Sequence, residues 1–237
     1  CVFLLTAQGC RKSSNESGDA VTESGAIPGT SFPATQEIDT TKFTSARVCS
    51  ACHQAIHATW QQSMHAQSFS NGIFQAAYRE TTEAYSEDRS RLCLRCHAPA
   101  VFWTPDYASQ HPIATEGVTC DFCHSVRAVH LDTPEAPLDV TVGRTKYGPL
   151  KHAQSPVHEV VDSELHRRSE FCAACHEYRN DRGVAVLETY SEWKAGPYAA
   201  EGKQCQNCHM PLTSGRVAAM GLRQVPKGIN LHDVSGS

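Results

Sequence analysis

The residues of this chain best suited to chemistry are its cysteines and histidines, which number 12 and 13 among 237 residues. Ten of the cysteines recur in one pattern, Cys-x-x-Cys-His, at irregular intervals. Residues three and four apart lie on one face of a helical turn, so two thiols and an imidazole project together. The copies, called motifs 1 to 5 in chain order, are Cys49-Ser-Ala-Cys52-His53, Cys93-Leu-Arg-Cys96-His97, Cys120-Asp-Phe-Cys123-His124, Cys172-Ala-Ala-Cys175-His176 and Cys205-Gln-Asn-Cys208-His209.

This pattern is typical of covalent haem attachment, in which the thiols form thioethers with two vinyl groups and the histidine ligates the iron. A disulfide framework would not place a histidine after every pair of cysteines. Zinc ribbons use two Cys-x-x-Cys pairs for each metal, so five pairs would leave one unmatched. A thioredoxin-like redox pair would occur once. The sequence therefore predicts five haems of the c type.

A haem iron takes a second axial ligand, and eight further histidines could supply it. Bis-histidine ligation is favoured, because methionines are few and Met210 directly follows a motif histidine. His111 and His166 are candidates by supply and by their position just upstream of a motif. His57 lies one helical turn after His53 and cannot reach the far face of that haem. The eight histidines are His57, His65, His111, His130, His152, His158, His166 and His232.

The first 45 residues differ in composition from the rest of the chain. Residues 1–9 are short and apolar and end in small residues before Cys10, which is typical of the end of an export signal. Cys10 is the expected site of a lipid anchor, with an ordinary secretory signal as the alternative. Residues 10–45 have few large apolar side chains and are expected to form a flexible linker. Residues 46–237 are expected to form the haem domain.

The predicted fold is mainly α with extensive coil and little sheet, organised around the five covalent haems. Helical patterns cover Gln54–Ala66, Ser70–Tyr85 and Ser191–Glu201. Between Val129 and Pro156, prolines and glycines favour loops with at most a short hairpin. Five haem macrocycles would fill much of the core, so the chain should not fold without them.

Several segments resemble the multihaem cytochrome c family that includes the tetrahaem electron carrier of ammonia oxidisers. They cover roughly residues 46–235 and include Cys49 to His65 with Trp60, Cys93-Leu-Arg-Cys-His-Ala-Pro99, Glu116-Gly-Val-Thr-Cys-Asp-Phe-Cys-His124, Ser155-Pro-Val-His158, Thr189-Tyr-Ser-Glu-Trp193 and Cys205-Gln-Asn-Cys-His-Met-Pro211. The resemblance implies that His65, His158 and His232 are distal ligands, each reaching a haem attached elsewhere in the chain. It also implies that haems pack in near-parallel and near-perpendicular pairs.

Five arginines near the motifs are candidates for pairing with haem propionates, and a solvated surface charge is the alternative for each. They are Arg91, Arg95, Arg127, Arg167 and Arg168.

The expected function is electron transfer through five closely packed haems, in the periplasm or at the cell surface. The alternative is a small oxidoreductase that acts on a nitrogen or sulfur compound at one haem with an open axial position. The expected partners are redox proteins, and an oligomer, a filament or a respiratory complex remains open. A net charge of −4 argues against a nucleic acid partner.

Overall fold

The computed structural model describes residues 42–104, 112–133, 137–180, 182–218 and 228–234. Four sequence predictions lie outside this part: the signal segment 1–9, the lipid anchor at Cys10, nearly all of the linker, and the ligand His111.

Short helices dominate the described residues. The longest has 13 residues, and most have four to seven. The α-helices are α1 (Ala46–Ser50), α2 (Gln54–Trp60), α3 (Met64–Gln67), α4 (Gly72–Ala84), α5 (Glu87–Arg91), α6 (Leu94–His97), α7 (Pro99–Trp103), α8 (Cys120–Cys123), α9 (Glu170–His176), α10 (Thr189–Ala195), α11 (Pro197–Ala200) and α12 (Cys205–His209), and 3₁₀ helices span Pro112–Glu116 and Glu164–Arg167.

Side-chain caps and helix breakers explain why the helices are short. The segment predicted as one helix over Gln54–Ala66 is interrupted at Ser63, whose hydroxyl accepts from the Ala66 N–H and starts α3. Gly196 and Pro197 likewise divide the segment predicted over Ser191–Glu201 into α10 and α11. The prediction over Ser70–Tyr85 agrees best, because Asn71 caps α4 and the helix ends at Ala84.

Sheet is limited to four two-stranded pairs among the described residues. The strands are β1 (Val126–Val129), β2 (Leu138–Val140), β3 (Thr145–Gly148), β4 (Glu159–Asp162), β5 (Tyr178–Arg179), β6 (Ala185–Leu187), β7 (Leu212–Thr213) and β8 (Ile229–Asn230). Three pairs are antiparallel, whereas β3 and β4 pair in parallel from Thr145 opposite Glu159 to Gly148 opposite Asp162. The predicted class, mainly helix and coil with little sheet, is confirmed.

The principal hydrophobic core surrounds motifs 2 and 3. Its most buried large side chains are Leu94, Val101 and Val126, each at most 1% exposed, and Phe122 packs beside them. Some large apolar side chains near the motifs stay exposed instead, among them Leu92 directly before Cys93 and Leu212 three residues after His209. The chain thus places its main hydrophobic cluster around motifs 2 and 3 and leaves apolar surface beside haem-attaching residues.

Candidate haem-binding sites

Each motif lies on one short helical turn, as the spacing of its cysteines predicts. In motif 3, helix α8 runs from Cys120 to Cys123 and is capped by Thr119, whose hydroxyl accepts from the Phe122 N–H. Motifs 4 and 5 end α9 and fill α12, respectively. In motif 1, Cys49 lies in α1 and His53 precedes α2. None of the ten motif cysteines, all in the described part, forms a disulfide.

Thiols of different motifs lie in hydrogen-bonding contact. Cys49 of motif 1 contacts Cys120 of motif 3, Cys96 of motif 2 contacts Cys175 of motif 4, and Cys172 of motif 4 contacts Cys205 of motif 5. These contacts join motif 1 to motif 3, and motif 4 to both motif 2 and motif 5. The attachment sites are therefore neighbours in an order that differs from their order in the sequence.

The thiol contacts also govern the acidity of the cysteines. A hydrogen bond from the facing thiol lowers the pKa of Cys96 to about 7 and that of Cys205 to about 6. The same contacts raise the pKa of their partners, Cys175 and Cys172. Burial alone raises the pKa of Cys123 to about 12, so that thiol keeps its proton at neutral pH.

Three motif histidines each face one of the distal histidines implied by the family resemblance. The ring centroids of His53 and His158 are 6.2 Å apart, those of His65 and His176 are 6.0 Å apart, and those of His124 and His232 are 6.3 Å apart. Two metal–imidazole bonds of about 2 Å each would separate the centres of two rings by about 6 Å. The three separations therefore fit two imidazoles on opposite sides of one metal.

Backbone carbonyls orient most of these imidazoles. A carbonyl oxygen can only accept, so a ring Nδ1 beside it carries the proton and leaves the Nε2 lone pair for a metal. The Nδ1–H groups donate to the carbonyls of Val217 (2.6 Å from His53), Ser68 (3.0 Å from His97), Tyr147 (2.6 Å from His124), Glu159 (3.0 Å from His158) and Asn230 (2.8 Å from His232).

Burial lowers the pKa of five facing histidines. The pKa of His65 is lowered to about 4, chiefly by burial and then by His176, and the pKa of His232 is also about 4, chiefly because of burial. Burial likewise lowers the pKa values of His124, His158 and His176. A neutral imidazole is the form that ligates a metal, so the protein supplies these side chains in the competent state.

His166 is the other predicted ligand that the structure describes, and it also lies against His124. Their ring centroids are 5.7 Å apart, and the planes are nearly parallel. Its Nε2 lies 3.2 Å from the carbonyl of Cys123, whereas its buried Nδ1 has no hydrogen-bond partner in the described part of the chain. The structure therefore places two candidate ligands, His166 and His232, beside one motif histidine.

The remaining histidines lie apart from these pairs. His57 packs against Trp60, with centroids 5.4 Å apart, and His130 and His152 are exposed in loops. His97 of motif 2 stacks on Phe74, with centroids 4.0 Å apart.

Three of the five arginines already pair with carboxylates of the chain. Arg127 pairs with Asp139, Arg167 with both Asp162 and Glu164, and Arg168 with Glu170. Arg127 and Arg168 are more than half exposed, which matches the alternative of a solvated surface charge for them.

Two carboxylates that the sequence did not single out connect motif 1 to motif 3. Glu116 accepts from the Ser45 hydroxyl and, at 2.8 Å, from the Ala46 N–H, where α1 begins. The buried Asp121, inside motif 3, accepts from the Thr44 N–H at 2.6 Å and pairs with Lys146. Their position around motif 3 was visible in the sequence, but their partners more than 20 residues away were not.

Gly117 allows the segment before motif 3 to cross α3 closely. Its φ is +59°, and a Cβ there would collide with the His65 carbonyl and the Ser68 hydroxyl. The next residue, Val118, donates its N–H to the same His65 carbonyl at 2.9 Å. Glycine is thus required where the chain passes the backbone that presents the His65 imidazole.

The residues present fit covalently held haem. The structure offers pairs of reduced thiols one helical turn apart, each followed by an imidazole, and three of these imidazoles face a second neutral imidazole at the separation expected across a metal. The exposed apolar side chains beside the motifs, such as Leu92 and Leu212, suit contact with a flat apolar macrocycle.

Comparison with known proteins agrees with this donor set. The family described as cytochrome c554 and c-prime matches residues 48–125, about a third of the chain, which contain the first three motifs. No curated protein matches the chain significantly.

A solved structure of a penta-heme cytochrome c552 from Thermochromatium tepidum has a similar fold, with a TM-score of 0.61 and 24% sequence identity. The likeness covers 81% of this chain and 57% of that chain, so this protein spans little more than half of the length of the structure it matches. The five motifs, the family match over residues 48–125 and the likeness of fold make this chain similar to multihaem c-type cytochromes.

Proposed function

We propose that the protein holds five covalent haems and transfers electrons among them and to redox partner proteins. The observation that carries this proposal is the set of thiol contacts between motifs 1 and 3, 2 and 4, and 4 and 5. Each cysteine marks the edge of an attached haem, so contacting cysteines favour contacting haems. The penta-heme composition of the Thermochromatium tepidum protein supports the count of five.

The proposed axial ligands follow from the three facing pairs. We assign His158 to the site of motif 1, His65 to that of motif 4 and His232 to that of motif 3. At motif 3, His232 is preferred to His166 because its Nδ1 donates to the Asn230 carbonyl and leaves Nε2 available. His166, whose ring lies against His124, is the other candidate at motif 3, and His111 remains a predicted ligand for the site of motif 2 or motif 5.

When bound, haem supplies an iron that accepts and releases one electron. The protein contributes the fixed placement of its donors. Carbonyls such as that of Tyr147 hold the imidazole planes and increase the electron density on the ligating nitrogen. Two histidine ligands lower the reduction potential relative to a histidine and a methionine.

Export to the periplasm or the cell surface is part of the proposal, with a lipid anchor at Cys10. The five attachment motifs support export, since c-type haems are attached outside the cytoplasm. In the described part of the chain, no helix has the length and apolar character needed to cross a bilayer. Membrane contact through acyl chains on Cys10 would be tested by labelling with a radioactive fatty acid and by its loss in Cys10→Ala.

The central experiment combines intact mass with spectroscopy on the purified holoprotein. The expected mass exceeds that of the processed chain by five haems, and the expected low-temperature EPR spectrum is dominated by low-spin ferric signals. Rapid reoxidation by a small redox mediator should follow chemical reduction. A mass with fewer haems would contradict the count, whereas a strong high-spin signal would favour the alternative, an oxidoreductase with one open iron position.

A further inference from the structure

The N-terminal ends of the helices that carry motifs 4 and 5 are joined by hydrogen bonds in both directions. Ser169 directly precedes α9, and Gln204 directly precedes α12. The Ser169 N–H donates to Gln204 Oε1 at 2.8 Å, and the Cys205 N–H donates to Ser169 Oγ at 2.9 Å. The residue before α9 thus bonds both to the residue before α12 and to the first residue of α12.

A third hydrogen bond closes this arrangement from within motif 5. Gln206 Nε2 donates to the Arg168 carbonyl at 2.8 Å. Ser169 is fully buried and Gln206 is 8% exposed, so water competes little for these groups. The capping box of α12 also fixes Gln204. The Gln204 side chain accepts from the backbone N–H of Asn207, the third residue of α12, while Asn207 Oδ1 accepts from the Gln204 N–H at 2.7 Å.

These bonds lie next to the thiols that contact each other. Cys172 follows Ser169 by one helical turn, and Cys205 follows Gln204 directly. The pKa of Cys205 is lowered mainly by the hydrogen bond with Cys172, and Ser169 adds a second hydrogen bond. Ser169, which directly precedes the helix of motif 4, therefore forms hydrogen bonds with both the backbone and the thiol of motif 5.

We propose that Ser169, Gln204 and Gln206 form a clasp that fixes the attachment site of motif 5 against that of motif 4. These are positioning residues, since none of them supplies a thioether or an axial ligand. The inference rests on the proposed function in one respect, because it assumes that motif 4 and motif 5 each hold a haem. In this arrangement, motif 4 is the neighbour through which motif 5 joins the other sites.

The test uses circular dichroism of the holoprotein in the Soret band. Haems close together give a coupled signal whose size depends on their separation and relative orientation. A reference variant, Cys205→Ala with Cys208→Ala, lacks the fifth haem and defines the share of the signal that depends on it. The clasp variant, Ser169→Ala with Gln204→Leu, should keep a mass of five haems and lose at least half of that share.

Two controls separate the clasp from general damage. Gln204→Glu keeps an acceptor oxygen for the Ser169 N–H and should retain the wild-type signal. Gln62→Leu removes an exposed glutamine that follows α2 and whose amide donates to the Ala58 carbonyl, and it should also leave the signal unchanged.

A clasp variant with five haems and a wild-type Soret signal would overturn the proposal. If the double variant does not mature, Gln204→Leu alone is compared with Gln204→Glu by the same criterion. A wild-type protein that carries five haems but does not exchange electrons with a mediator would contradict the proposed function, and the test of the clasp would still stand.

Discussion

At the scale of single residues, whether a histidine can ligate iron depends on which of its ring nitrogens is already hydrogen-bonded. His232 donates from Nδ1 to the Asn230 carbonyl, whereas His166 places Nε2 against the Cys123 carbonyl. Both lie beside His124, yet only His232 presents the less hindered Nε2. This difference distinguishes two histidines that composition and spacing could not rank.

Replacing His232 should remove the sixth ligand at motif 3. In His232→Ala, we expect one low-spin ferric signal to be lost from the EPR spectrum and a high-spin signal to replace it. His166→Ala should leave the number of low-spin signals unchanged, although small shifts are expected because its ring packs on His124. The reverse pattern in the two variants would identify His166 as the ligand.

The neutral histidines also predict how stability depends on pH. The pKa of His65 falls from its ordinary value of 6.5 to about 4 on folding, and that of His232 does the same. The unfolded chain therefore binds more protons between these values, so stability is complete above pH 6.5 and decreases as the pH falls towards 4. The direction is the same when iron holds these imidazoles, because a histidine must be neutral to ligate a metal.

Thermal unfolding followed between pH 8 and pH 4 would measure this dependence. The exposed His152 provides the matched control, since His152→Ala should give the wild-type pH profile. A melting temperature that is constant from pH 6.5 to pH 4 would contradict the buried, neutral state of His65 and His232.

At the scale of elements, short helices are held in place by groups outside them. Glu116 bonds to the start of α1, and Gly117 lets the chain cross α3 beside His65. The parallel pair of β3 and β4 connects two histidine-bearing segments, since the Tyr147 carbonyl holds His124 and His158 directly precedes β4. The segment before motif 3 thus positions α1 of motif 1 and the His65 imidazole, and the β3–β4 pair positions His124 and His158.

Replacing Gly117 should disturb the site of motif 4 although Gly117 precedes motif 3. A side chain at φ +59° costs about 1–2 kcal/mol, and the collision with the His65 carbonyl adds to this. We expect Gly117→Ala to lower the melting temperature and to alter the low-spin EPR signal that His65→Ala abolishes. Gly202→Ala is the control, since φ is +74° there but nothing lies near its Cβ.

Replacing Glu116 should loosen the contact between motifs 1 and 3. Glu116→Ala removes both hydrogen bonds to the start of α1, at a cost of about 1–3 kcal/mol if the Ala46 N–H is left without a partner. Denaturant unfolding would measure the loss. Glu116→Gln keeps one acceptor oxygen and should retain more of the stability, whereas equal losses in both variants would argue against the hydrogen bonds as the cause.

At the scale of the whole molecule, the described part of the chain builds a small core of its own. Its main cluster of buried hydrophobic residues has twelve members, of which four are alanines and the largest are three phenylalanines. The facing histidines lie in distant segments, so axial ligation would join the fold as disulfides join other small proteins.

The chain should therefore remain unfolded when haem is not attached. A variant with all ten motif cysteines changed to alanine is expected to show no cooperative thermal transition by far-UV circular dichroism. The control is the wild-type holoprotein under the same conditions. A cooperative transition in the variant would show that the apolar core suffices without haem.

What could be predicted from the sequence was the local part of the structure. Each motif fits within one helical turn, so its five residues determine the donor set without any tertiary information. The order of the motifs in space depends on contacts between distant segments, such as that of Cys49 with Cys120, which no local pattern contains. The pairing of β3 with β4 was missed for the same reason, since its register depends on residues 14 positions apart and neither strand alternates clearly.

The long span between facing histidines has a consequence for biogenesis. Each pair joins residues roughly a hundred positions apart, and His232 lies two residues after β8, near the end of the described chain. A chain that emerges from the translocon N-terminus first would display all of motif 1 long before its partner His158 appears. On the proposed ligand assignment, the haems of motifs 1 and 3 would wait, singly ligated and exposed to solvent, for His158 and His232, whereas His65 precedes motif 4, so we expect the first two to need chaperoning.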